Sequence, residues 1–263
     1  PIFIFMFDWG IRGAAIATVS AQVIALLWQL KQFNNANELL HFRRGIFRLK
    51  RKIVFDSLAI GMSPFLMNLA ACLIVILINQ GLKKYGGDLA IGAFGIVNRL
   101  VFIVVMIVMG LNQGMQPIAG YNFGAKLYDR VNKVLKLTII YATCVTTFGF
   151  LVGMLAPNLV VGIFTSDAEL TELSATGLRI TVMFFPIIGF QMVTSNFFQS
   201  IGMAGKAIFL SLTRQMLILL PCLLILPHFF GVAGVWYSMP VSDLLASLIA
   251  LVMLVYQFRK LDR

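Results

Sequence analysis

The chain has 263 residues, of which 60% are hydrophobic and only 12% charged. A water-soluble domain of that size needs far more polar surface, so the composition excludes one. The net charge of +11 invites a nucleic-acid partner, but the charges lie in connections between apolar blocks and leave no basic folded surface to bind one.

Each apolar block is near the ~20 residues that cross a bilayer. In chain order the predicted spans cover residues 13–30, 53–80, 89–115, 134–156, 177–199, 207–226 and 234–258. Lipid cannot satisfy backbone polar groups, and the segments are too long for barrel strands, so they read as helices. The fold class that follows is all-α, a polytopic membrane helix bundle of about seven spans.

The connections alternate in charge. After the first span come Lys31, Arg43, Arg44, Arg48, Lys50, Arg51 and Lys52, and after the third Lys126, Arg130, Lys133 and Lys136. Lys206 lies between the fifth and sixth, and Arg259, Lys260 and Arg263 end the chain. Residues 81–88 carry only Lys83 and Lys84, 157–176 carry Asp167, Glu169 and Glu172 without a base, and 227–231 carry neither Lys nor Arg. The basic side is cytoplasmic by the positive-inside rule, and its charge also suits contact with anionic membrane lipids. In residues 31–52, Leu39, Leu40, Phe42, Ile46, Phe47 and Leu49 interleave with the bases, a pattern for a helix lying on the headgroups. The chain starts at Pro1 with no recognisable signal peptide, which reads as a chain lacking its N-terminal part.

Pro64, Pro186, Pro221 and Pro240 fall inside apolar blocks. Each removes a backbone hydrogen bond and predicts a kink. Ionisable groups at mid-membrane are costly and therefore functional candidates. Asp243 is central in the seventh span and Arg99 is near mid-depth in the third, so the two are expected to pair across the bundle as a cation- or proton-coupling site. A packing ion pair is the structural alternative. Asp56 lies at the mouth of the second span, and Arg214, a third of the way into the sixth, is expected to snorkel to the cytoplasmic face. Amides recur at Asn68, Asn98, Asn112, Gln113, Gln191, Asn196, Gln199 and Gln215. Gln191, Ser195 and Gln199 are four apart and share a helix face beside Asn196. With Asn68 they are the candidate wall of a substrate cavity, or else a helix seam.

Cys72, Cys144 and Cys222 lie in apolar blocks with no ligand spacing, and His41 and His228 lie in different connections. No metal site is expected. No paired acids or His-rich motif at an interface suggests a membrane enzyme.

Residues 110–131 read GLNQGMQPIAGYNFGAKLYDRV. This resembles the signature of the multidrug and toxic compound extrusion (MATE) family, with Gln113, Gly114, Gln116, Pro117, Gly120, Tyr121, Asn122, Gly124, Ala125, Arg130 and Val131 all matching. FFQSIGMAG at 197–205 followed by Arg214 and Gln215, GVAGVWYSMPVSD at 231–243, and GIRGAAIATVSAQ in the first span match as well. The motif is expected to form a structural cytoplasmic turn, with Pro117 ending or bending its span and Gly120 and Gly124 permitting close backbone approach.

The resemblance implies twelve helices in two lobes. Residues 1–30 would then be the last helix of the first lobe, 31–52 the basic inter-lobe loop, and 53–263 the six-helix second lobe. It implies a bacterial cytoplasmic (inner) membrane protein that exports drugs or organic cations in exchange for protons or sodium ions by rocking of the lobes. It needs no enzymatic cofactor, and its missing partner is the N-terminal lobe. A flippase of the wider superfamily, moving lipid-linked precursors, is the alternative. Some family members use acids in the helices resembling the second and fifth spans. Here those positions read Pro64-Phe65-Leu66-Met67-Asn68 and carry Gln191 and Asn196, so the coupling ion, H+ or Na+, stays open.

Overall fold

The computed structural model describes residues 3, 9–35, 41 and 49–261, with side chains at all of these except 56, 57, 59–64, 204 and 258–261. Most of the expected headgroup helix at 31–52, and the side chains of Asp56 and Pro64, lie outside the described residues. The described elements are α-helical apart from one π-helical segment, and two compact units are present, Pro1–Ile60 and Gly61–Arg263.

In the first unit, helix α1 (Gly10–Phe33) is apolar on all sides and buries only Gly13. A helix without a polar face suits lipid rather than water. Its exposed residues include Ile24, Leu27 and Trp28, with Lys31 in the last turn.

Helix α2 (Arg51–Gly124) runs for 74 residues, about 110 Å if straight and several times the ~30 Å hydrocarbon thickness. It reverses at Gly87, whose φ of 67° and ψ of −163° belong to a region open essentially to glycine. Ile74, Ile78 and Leu82 before the break and Ala90, Phe94 and Val97 after it join one apolar cluster, so the two arms lie side by side.

The remaining helices are α3 (Tyr128–Leu155), α4 (Pro157–Gly162), α5 (Ala168–Val182), α6 (Phe185–Ser200), α7 (Ala204–Leu212), a π-helical segment (Thr213–Leu219), α8 (Leu220–Phe230) and α9 (Val232–Leu261). Asp167 caps α5, accepting from the Leu170 N–H at 3.0 Å; a carboxylate there also suits the helix dipole. Helices α5 and α6 bend by 55° where Pro186, with no N–H to give, opens the second helix. Counting that bent pair as one span and dividing α2 at Gly87, the described helices give the seven crossings that the sequence predicts.

The expected cytoplasmic turn is corrected. Gln113, Gly114, Gln116, Pro117, Gly120, Tyr121, Asn122 and Gly124 all lie within α2, and the chain turns after them, at Ala125–Leu127, with Lys126 at φ 59°. Pro117 neither ends nor breaks the helix. Asn122 donates its side-chain amide to the Ile118 carbonyl at 2.8 Å. Gly120 is a contact glycine: a Cβ there would lie 2.9 Å from the Ser200 carbonyl oxygen on α6.

Two apolar clusters stack along the bundle. One, at the non-basic end, gathers Leu82, Phe94, Val161, Leu178, Val235 and Trp236. The other, at the basic end, gathers Met115, Val131, Leu135, Phe197, Phe198 and Leu254.

Candidate functional site

The site lies where the two clusters meet. Helix α9 passes through both, with Trp236 in one and Ala250 and Leu254 in the other, and Asp243 falls between them at 4% exposure. The helix packs centrally because its small polar residues satisfy themselves internally. Ser238 donates to the Gly234 carbonyl, Ser242 to that of Met239 and Ser247 to that of Asp243, at 2.8, 2.7 and 2.6 Å. The carboxylate itself needs an external partner, because a lone charge in this environment is too costly to keep.

That partner is Arg214, whose Nε donates to Asp243 Oδ1 at 2.7 Å. The expected pairing with Arg99 is therefore corrected: Arg99 is exposed and has no ion pair among the described residues. The expected snorkelling of Arg214 is corrected as well, since its guanidinium turns inward to the acid. Arg214 sits in the π-helical segment, a wider turn that often marks functional sites. Two residues beyond that segment, Pro221 lacks the N–H that an α-turn would return to Leu217, and the loosened turn lies just before it.

A cavity of about 210 Å³ opens beside the pair. Val75 and Ile78 from one arm of α2, Phe94 and Val97 from the other, and Phe185, Ile188 and Met192 from α6 form an apolar wall. Its polar groups are Asn98, Thr181, Ser242, Arg214 and Asp243. A mostly apolar pocket with a few convergent polar groups is the usual form of a small-molecule site. A second cavity of about 210 Å³ between α2, α3 and α5 is lined by Val104, Phe148, Val182 and other apolar residues, with no polar side chain to orient a ligand.

The candidate substrate wall from the sequence does not gather here. Asn68, Gln191, Ser195, Asn196 and Gln199 are all absent from this cavity's lining. Ser195 is in a helix seam, 3.2 Å from the Ser211 hydroxyl, and Asn196 donates to the Met192 carbonyl at 3.0 Å. Gln191 is buried, whereas Gln199 and Asn68 are exposed. The four-residue spacing advances about 40° beyond a full turn per step, so Gln199 has swung roughly 80° from Gln191. Of the cavity's polar groups, the sequence singles out Asp243 as a site residue; Asn98 and Arg214 are visible there as polar groups within spans, and Thr181 and Ser242 carry no signal in it. Among the described residues, no group of three or more His, Cys, Asp or Glu could hold a metal ion.

The MatE family model matches residues 59–225. The chain is similar to the multidrug export protein MepA of Staphylococcus aureus (strain MSSA476), with 28% identity over 98% of this chain and 56% of the relative. It thus spans little more than half the length of that relative. Among solved structures, the MATE multidrug transporter DinF-BH is 36% identical with a TM-score of 0.83, covering 99% of this chain and 58% of the other. An outward-facing multidrug resistance MATE transporter of the MOP superfamily matches in fold with a TM-score of 0.85 at 22% identity, covering 100% of this chain and 59% of the other.

Proposed function

The chain belongs to the MatE family, and on that footing we propose that it forms part of a secondary active exporter of drugs or organic cations. In this reading residues 53–263 are one six-helix transport lobe, 1–30 a helix of the other lobe and 31–52 the basic connection between them. Drug leaves the bacterial cytoplasm as protons or sodium ions enter, and the lobes rock around a shared cavity. The names of the relatives, multidrug export protein and multidrug transporter, support an export role over an enzymatic one.

The observation that carries the coupling proposal is the buried Asp243 carboxylate paired with the partly exposed Arg214 beside a cavity at mid-span. An entering proton or sodium ion competes with Arg214 for the carboxylate. Once the ion is bound, the charge-assisted hydrogen bond is weakened. Helix α9 and the π-helical segment are then freed to shift against each other, which changes the cavity wall. Binding at one group thereby biases a two-state packing arrangement.

The test is reconstitution of the intact protein in vesicles, with rhodamine 6G as the transported dye. An imposed proton or sodium gradient is expected to drive dye against its own gradient, and the gradient that does so names the ion. Dye movement that ignores both gradients overturns the antiport reading.

A further inference from the structure

We infer that the Arg214 cavity binds the acid group of an amphiphilic anion, so that the substrate range extends beyond organic cations. This rests on the export reading and specifies the ligand of the same site. The carboxylate of Asp243 is 5% exposed and already bonded, whereas the Arg214 side chain is 34% exposed. Arg214 engages Asp243 through Nε, and among the described residues its two terminal nitrogens hold no partner. Those nitrogens are the edge of the fork that meets a planar carboxylate or sulfonate with two parallel hydrogen bonds.

A second guanidinium adjoins the cavity wall in sequence. Arg99 follows Asn98, which lines the cavity, and Arg99 is itself exposed near mid-span. A guanidinium facing lipid at that depth is strongly disfavoured, so Arg99 faces water or protein. Among the described side chains, Arg214 is the guanidinium that lines this cavity, and the one carboxylate beside it is already bonded. An anion finds here the free edge of the Arg214 guanidinium and an apolar wall of Phe94, Val97, Ile188 and Met192 for its body.

Two dyes with one xanthene core and opposite charge test this: fluorescein, an anion, and rhodamine 6G, a cation. Fluorescence anisotropy on the intact protein in detergent is expected to show that both bind. Arg214→Gln weakens fluorescein about tenfold or more, the loss of one charged bidentate contact, while rhodamine 6G is held at least as tightly. Because Arg214→Gln leaves Asp243 unpaired and can unfold the protein, the neutral pair Arg214→Gln with Asp243→Asn is measured beside it and loses fluorescein equally. Asp243→Asn alone removes the negative charge beside the guanidinium and tightens fluorescein. Firm rhodamine 6G binding with no fluorescein binding, or fluorescein affinity indifferent to Arg214, overturns the inference and leaves the export reading standing. Failure of both dyes counts against both readings.

Discussion

At the non-basic end of the bundle, the buried ring of Trp236 lies against Gly177 and 6.0 Å from the ring of Phe94. The basic end is different. There Phe197 and Phe198 fill the interior, and Lys206 stretches over the Phe198 ring at 5.4 Å to donate to the buried Gln257. One end is closed by rigid aromatic contact, and the other by a long amphipathic side chain that keeps its charge near the headgroups. Neither end can accept a buried charge, and the charged pair occupies the layer between them. Arg214 lies between Leu210 of one cluster and Leu219 of the other, just as Asp243 lies between Trp236 and Ala250.

The largest effect on this arrangement is expected from Arg214→Gln, which leaves a buried carboxylate without its partner. A fully buried pair broken this way costs about 3–5 kcal/mol. The partial exposure of Arg214 brings the expected loss to roughly 2–3 kcal/mol. The detergent melting midpoint should fall, and Asp243→Asn added to Arg214→Gln should recover part of the loss. If the double variant is as unstable as Arg214→Gln alone, the pair is not what that residue contributes.

A smaller loss, about 1–2 kcal/mol, is expected from Gly177→Val. Its Cβ would lie 2.7 Å from the indole of Trp236, which is buried and has little room to turn. The change loosens the non-basic end and leaves the basic end packed. A melting midpoint equal to wild type would show that the indole can move, and that the two ends differ less in rigidity than their packing implies.

Much of this fold was legible from the residues. Hydrophobic length gave the spans, and the alternation of Lys and Arg gave the connections, because both reflect a solvent that admits no exposed backbone and few charges. The charged pair was half legible. Depth within a span picks out Asp243, but depth says nothing about which way a side chain faces, so it points to Arg99 as the partner and sends Arg214 to the cytoplasmic face. The facing of Arg214 comes from a π-helical segment, and a one-residue widening of a turn leaves no mark on apolar periodicity. Of the two roles expected of Pro117, ending or bending its span, the first is ruled out: it stands within a helix that continues to Gly124. Membrane helices tolerate such prolines because neighbouring groups satisfy the freed carbonyl.

Asp243→Asn in the intact, vesicle-reconstituted protein tests most directly whether this carboxylate couples ion entry to drug exit. The amide keeps the shape and a hydrogen-bond acceptor for Arg214 but has no charge for an entering proton or sodium ion to neutralise. Rhodamine 6G is expected to bind the variant, yet an imposed ion gradient should no longer move it uphill. Gradient-driven accumulation at the wild-type rate would contradict the coupling role of Asp243.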